Sequence, residues 1–321
     1  MDLSVVVVAY DMARELPRTL TTLSRKYQRN APEYEVIVVD NGSPDPVDES
    51  LLDLVPAGRL LRVDPAPPSP ARAANIGVRE ARAPVIGLLN DGARMASPGL
   101  LSNAVRASRL GPRTVVATPS YHLGREVQMV AAAHGYDQRV EDELLDSVDW
   151  RSDGEVLFTI SCLAASSARG WFGPMGETNA LFLHRPLWDE LGGCDEVFAR
   201  PGGGLVNHDL YRRACEAPGA ASVVLIGEGT FHQFHGGAST GGGASRDELW
   251  DEYETIRGRT FEPPGPTPTL FGRVPAPALP HLESSVAWLR QDLRRHTGSV
   301  DHGCSPYRQR RGGRRGPAGR G

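Results

Sequence analysis

Short unbroken apolar runs alternate with helical spacings along the first third of the chain. Residues 3–10 (LSVVVVAY) are a near-continuous β-branched run, the pattern of a strand buried on both faces. Leu16, Leu20, Leu23 and Tyr27 follow at spacings of four, three and four, which predicts a helix with one apolar face. Residues 35–39 form a second buried run that closes in Asp40-Asn41-Gly42-Ser43, and residues 60–63 a third, short one before the proline-rich loop 65–70. A helix is predicted over 71–81 and a strand over 85–89, ending in Asn90-Asp91-Gly92. Ser97-Pro98 is read as the cap of a helix running to Leu110, with proline where its missing N–H is harmless, and 114–118 as a further strand. Regular alternation of this kind predicts an α/β fold with a mostly parallel central sheet, flanked by crossover helices. Ligands in such sheets bind beyond the carboxyl ends of the strands. Those ends here carry Tyr10-Asp11, Asp40 and Asn90-Asp91, so acidic groups stand where a ligand would sit.

The middle of the chain is less regular. Helices are predicted over 137–150, 186–191 and 206–217, and strands over 178–184 and 222–226. The last strand leads into Gly227-Glu228-Gly229-Thr230-Phe231-His232-Gln233-Phe234-His235-Gly236-Gly237. After Ser239 the chain is rich in glycine (241–243) and proline (262–280), with amphipathic helices expected over 246–257 and 281–295. The expected organisation is one large domain over 1–240, divided into halves at residue 118, then a helical C-terminal appendage over 241–296 and a disordered tail from 297.

Charge and cysteine content narrow the class. The overall net charge of -4 conceals an asymmetry, because residues 308–321 hold six arginines and no acid. The remainder carries 29 basic against 39 acidic groups, so no nucleic-acid partner is expected of the folded part. Cys162, Cys194, Cys215 and Cys304 are scattered without a C-x-x-C pair, which suits a reducing cytoplasm. The opening Met1-Asp2 leads straight into the first apolar run, which is far short of a membrane span, so no signal peptide is expected. The Arg-rich tail has the charge for peripheral contact with anionic lipid at the inner face of a membrane, at about 1 kcal/mol per basic residue near the surface. A solvated tail without function is the alternative.

No G-x-G-x-x-G or Walker pattern follows the first strand, so glycine amides cannot cradle a phosphate at the first helix. The strand-end carboxylates offer a different solution, a metal ion that neutralises a diphosphate. Four segments occur together and in order: residues 4–10 (SVVVVAY), 36–43 (VIVVDNGS), Ala74-Asn75-Ile76-Gly77 with Ala81, and Leu88-Leu89-Asn90-Asp91. Together they resemble the family 2 glycosyltransferases of the GT-A (Rossmann-like) fold. The likeness is closest over 3–110 and looser over 176–240.

That resemblance implies roles. Asp40 would read the nucleotide base, with Tyr10 or Asp11 beside it; the residue-level alternative is that Asp40-Asn41-Gly42-Ser43 makes a tight turn. Asn75 would line the sugar-nucleotide pocket and Arg72 would meet the diphosphate, or else be an exposed helix arginine. The family carries D-x-D, whose last acid holds a divalent cation, Mn²⁺ or Mg²⁺. This chain has Asn90-Asp91-Gly92, with one carboxylate, so either Asp91 takes the ligand position or Gly92 occupies it and the metal is lost. A downstream histidine joins the metal in many GT-A enzymes, which points to His232 or His235. The segment Gly202 to Arg213 falls where the family has its catalytic acids, and Asp209 is assigned as general base. Its D-L-x-x-R spacing also fits the family's second acid, which would leave Asn207 at the base position. A first-turn carboxylate serving its own helix is the bland reading of Asp209, and nothing in the sequence decides the role of His208. Trp171 and the loop 170–177 are candidates to line a sugar, and Trp188 to sit in the core.

The implied activity is transfer of a sugar, with inversion, from a nucleoside-diphosphate-sugar donor to a hydroxyl acceptor: a glycan, a lipid or a small molecule. The alternative is a catalytically inactive GT-A protein that binds a sugar nucleotide or glycan. A sugar-1-phosphate nucleotidyltransferase would want a Gly- and Arg-rich first loop, which residues 9–15 do not supply.

Overall fold

The computed structural model describes residues 1–236 and 246–297. The glycine run 241–243, the boundary expected at 240 and the Arg-rich tail therefore lie outside the described residues. Twelve strands are described: β1 (Leu3–Ala9), β2 (Tyr34–Asp40), β3 (Arg59–Arg62), β4 (Val85–Leu89), β5 (Arg94–Ala96), β6 (Thr114–Ala117), β7 (Ser120–Leu123), β8 (Ser161–Leu163), β9 (Ala180–His184), β10 (Ala221–Ile226), β11 (Thr230–His232) and β12 (Thr269–Gly272). The α-helices are α1 (Leu16–Thr22), α2 (Ala71–Glu80), α3 (Leu100–Ser108), α4 (Gln128–Ala133), α5 (Gln138–Asp146), α6 (Arg185–Leu191), α7 (Val206–Glu216), α8 (Arg246–Arg257) and α9 (Leu279–Thr297).

Eight strands make the central sheet, in the order β12–β10–β6–β9–β4–β1–β2–β3. All neighbours pair in parallel except β9, which runs antiparallel to both β4 and β6. The sheet is thus α/β, largely parallel and flanked by helices, as its apolar runs predict. β1 is central because all seven of its residues are buried. Val6 and Val8 enter one apolar layer with α2, α6 and α7, while Leu3, Val5, Val7 and Ala9 enter the other with α1 and α3. α2 lies close on the sheet because Gly77 has no side chain. A Cβ there would fall 2.3 Å from Val6 Cγ1 and 2.9 Å from Val39 Cγ2.

Two local readings change. α1 ends at Thr22 rather than continuing to Tyr27, because Thr22 Oγ1 donates to Thr19 O and accepts the Ala96 N–H, anchoring the turn to β5. Leu23 and Tyr27 still reach the core. Ser97 does not cap α3 with its own side chain. Its hydroxyl donates to Glu228 at 2.5 Å and accepts the Gly229 N–H at 3.0 Å. Glu228, buried between β10 and β11, also accepts from Asn103 Nδ2 (2.8 Å), so a carboxyl group rather than the Ser97 hydroxyl sits at the start of α3.

The sequence pattern does not announce the second sheet, of order β5–β11–β7–β8. β11 pairs antiparallel with β5, placing His232 opposite Arg94, and parallel with β7, placing it opposite His122. This sheet ties the loop after β4 to the segment after β10. Trp171 and Trp188 are both in the core, and Trp171 is held against α9 by its backbone N–H, which donates to Ser285 Oγ. No described helix is long and apolar enough to cross a membrane.

Burial raises the Glu228 carboxyl to about 7, above its ordinary value of 4.5, against the pull of its Ser97 and Asn103 hydrogen bonds. A raised folded pKa gives stability that is fully present below the unfolded value and is lost as pH rises through about 7. Glu228→Gln removes that titration. In urea unfolding, the wild type should therefore lose stability relative to the variant between pH 5 and 8, on the order of 3 kcal/mol at most. A difference that stays flat with pH would show that Glu228 is ionised throughout.

Candidate metal centre

The strand order reverses direction at β1, whose sequence-adjacent partner β2 lies on one side and β4 on the other. A crevice beyond the carboxyl ends of β1 and β4 is the expected ligand position in such a sheet. Tyr10, just past β1, is 52% exposed, and Asp11 adopts a left-handed φ of 52°. The Asp11 N–H donates to Ser43 Oγ (3.0 Å), which joins the loops after β1 and β2. Asp40 ends β2 as a buried carboxylate. One oxygen accepts the Ser43 N–H (2.8 Å) and the other the Arg62 guanidinium (2.7 Å). It therefore forms a turn and an ion pair together.

Asn75 faces α2's far partner rather than open solvent. Its Nδ2 donates to Cys194 O and Glu196 Oε1, and its Oδ1 accepts the Cys194 N–H (2.8 Å). The amide clamps the Gly192-Gly193-Cys194 turn, where a Cβ on Gly193 would meet Asn75 Oδ1 at 2.3 Å. Arg72 is exposed in the first turn of the same helix.

Asp91, His232 and His235 come together, with one ligand atom from each lying within 4.8 Å of the others. Asp91 Oδ1 accepts the Ala93 N–H (2.9 Å), a local turn that aims Oδ2 at the histidines. That Oδ2 lies 3.9 Å from His232 Nε2 and accepts from Arg94 Nε (2.8 Å). His232 Nε2 and His235 Nε2 are 3.2 Å apart. Hydrogen bonding fixes the proton on His232. Gln128 Nε2 donates to the His232 carbonyl (2.9 Å), so Gln128 Oε1 must be the acceptor facing Nδ1 (2.5 Å). Nδ1 thus carries the hydrogen and Nε2 presents its lone pair to Asp91 and His235. Burial, with Arg94, His235 and His122 nearby, holds the His232 pKa well below the usual range, so the ring is neutral. His122 is likewise pulled down to about 4 by burial and by Arg94. One carboxylate oxygen and two imidazole nitrogens make a donor set that fits a divalent transition-type cation.

The His232–His235 segment is anchored on its own account. Gln233 Nε2 donates to Glu15 O and Thr19 Oγ1, and Phe234 N to Glu141 Oε2. Asn90 donates to Asn179 Oδ1, and Asn179 donates to Ser120 Oγ, which also accepts from Arg94. Arg94, Gln128, His122 and Asn179 shape the centre, yet none stands out by spacing. Gln128 lies on a six-residue helix with no periodic signal.

Gly92 is not a failed ligand position. Its carbonyl accepts from Thr19 Oγ1, and a Cβ would point at Met12 Sδ (3.1 Å), Ala9 Cβ and Leu16 Cδ1 (both 3.3 Å). A side chain at 92 faces apolar packing, whereas Asp91 faces the histidines. Asp209 stands apart from this cluster. Buried in the first turn of α7, it accepts from Arg213 Nε (2.7 Å), Arg257 Nε (2.6 Å) and Arg257 Nη2 (2.7 Å), and Arg257 also reaches Asp195.

Residues 4–135, less than half of the chain, match the family model for Glycosyl transferase family 2. Among solved structures, the chain is similar to S. aureus TarS 1-349 at 13% identity and a TM-score of 0.47, over 73% of this chain and 58% of that one. For S. aureus TarS the values are 12%, 0.48, 80% and 39%, and for TarS 1-349 in complex with UDP they are 12%, 0.48, 94% and 73%. The chain thus spans well under two thirds of the first two. No curated protein matches it.

Gly92→Asp should not create a second ligand. Its carboxylate would enter the Met12–Ala9–Leu16 packing, so Mn²⁺ affinity by calorimetry should not rise, and the melting temperature should fall by several degrees. Tighter Mn²⁺ binding with an unchanged melt would place residue 92 in the coordination sphere instead.

Proposed function

We propose that this chain transfers a sugar from a nucleoside-diphosphate-sugar to a hydroxyl acceptor, with a divalent cation held by Asp91, His232 and His235. The observation that carries the proposal is the oxygen–nitrogen–nitrogen cluster at the carboxyl edge of β4, beside the crevice where the sheet reverses. The family match over 4–135, which takes in Asp40, Asn75 and Asp91, supports the donor class. A bound cation would take up the negative charge that grows on the diphosphate as the anomeric bond breaks. Two imidazoles favour Mn²⁺ over Mg²⁺, which prefers oxygen donors.

The chain's own residues divide the work. In this reading, exposed Tyr10 with Asp11 frames the base, and Asp40 with Arg62 holds the loop that borders it. Exposed Arg72 is suited to the diphosphate, and Asn75 acts by holding the Gly192–Cys194 turn in place. Residues 1–118 then serve the donor and 119–240 the acceptor, with the segment from 246 adding β12 to the edge of the central sheet. Both oxygens of Asp209 are engaged by arginines, which suits fastening α7 to α8 better than taking a proton. That engagement also favours a second reading, a protein that binds a sugar nucleotide without turning it over. Release of nucleoside diphosphate from donor separates the two.

Asp91→Ala should abolish the gain in UDP, GDP or dTDP affinity that Mn²⁺ produces in the wild type, read by titration calorimetry with and without the metal. A wild-type-like gain in the variant would exclude Asp91 from the cation site, and no nucleotide binding by the wild type under either condition would refute the donor assignment.

A further inference from the structure

The first turn of α7 sends consecutive side chains to different partners. Asp209 turns to Arg213 and Arg257, while His208 turns toward the loop before β9. There His208 Nδ1 lies 3.4 Å from Glu177 Oε2, and both side chains are mostly but not wholly shielded. His208 Nδ1 itself is shut off from solvent and makes no aligned hydrogen bond, so the Glu177 carboxylate is its nearest match. Edge-to-face contacts with Trp250 (6.1 Å) and Phe261 (5.1 Å) hold the ring.

The rest of the ring is less enclosed, since the side chain keeps 16% of its surface although Nδ1 has none. Gly176 borders it, and a Cβ there would just reach contact, 3.5 Å from Cδ2 and 3.8 Å from Nε2, so the glycine leaves a methyl-sized gap. The pair is also tied to the metal centre. Two residues beyond Glu177, Asn179 bonds Asn90 and Ser120, and Ser120 accepts from the same Arg94 that holds Asp91. Glu177 also acts electrostatically on His122, as Asp91 does.

We propose that His208, oriented by Glu177, takes the proton from the acceptor hydroxyl; the assignment rests on the glycosyl-transfer reading above. A carboxylate at Nδ1 fixes the hydrogen there and leaves the Nε2 lone pair facing the gap beside Gly176. The acceptor O–H proton passes to Nε2 as its oxygen bonds to the anomeric carbon. The bond from that carbon to the diphosphate oxygen breaks, and its electron pair leaves with the nucleoside diphosphate. The imidazolium then returns the proton to solvent. Asn207, which the D-L-x-x-R spacing would put at the base position, carries no group that could do this. His208 is thus the catalytic residue and Glu177 a positioning residue.

The test measures nucleoside diphosphate release from UDP-, GDP- and dTDP-sugars, with Mn²⁺ and with water as the hydroxyl. His208→Gln should slow release about 100-fold or more, and Glu177→Gln about 10-fold. Mn²⁺-dependent affinity for the diphosphate should stay within about twofold in both. ¹⁵N spectra of the wild type should show His208 with hydrogen on Nδ1, and Glu177→Gln should shift that population. Gly176→Ala, whose backbone needs no unusual φ, should slow release by filling the gap. Should His208→Gln not fold, Glu177→Gln and Gly176→Ala carry the test. Release within about threefold of wild type in the folded variants overturns the assignment. So does a wild type that binds the diphosphate but releases none. A wild type that neither binds nor releases refutes the transfer reading itself.

Discussion

The register of β11 between β5 and β7 is the constraint on which the centre depends. It sets His232 opposite Arg94 on one side and His122 on the other, although these residues come from distant parts of the chain. Asp91, three residues before Arg94, is thereby brought within 3.9 Å of His232. A slip of one residue would turn His232 to the other face of its strand and part the ligands. The central sheet supplies the crevice; the small sheet decides what faces it.

Charge in this region is managed by burial as much as by pairing. His122 and His232 stay neutral because a second positive group beside Arg94 would be poorly solvated. Glu141 is raised to about 7 by burial, although it accepts from Arg14, Tyr136 and the Phe234 N–H. Those same contacts fasten the histidine loop. The segment carrying His232 and His235 is thus held in place before any cation arrives, so binding need not order it first.

Legibility followed the length of the signal. β1, β2 and β4 are strands of five to seven buried residues, most of them apolar, and their tips locate the crevice directly. The pairing of Asp91 with His232 and His235 was also within reach, because glycine-flanked histidines after a strand are hard to explain as packing. β5, β8 and β11 hold three residues each, too few for a period to register, so the small sheet was invisible. The same brevity hid Gln128. Ser97 misled because a serine before Pro98 reads as a cap, whereas Glu228 from beyond β10 fills that position. The sequence left Asp209 open between two roles, and no local pattern could show that Arg257, on a separate helix, takes up its oxygens.

Gln128 works as a latch on the polarity of His232. Its amide has one orientation in which both bonds to residue 232 are made, and the opposite orientation would set its oxygen against the His232 carbonyl oxygen. A relative that replaced Gln128 with a residue of different hydrogen-bond sense could keep every apparent ligand in its sequence while the imidazole turned its proton toward the cation. Inventories of ligands alone would count such a protein as competent, and the error would lie in a side chain that never touches the ion.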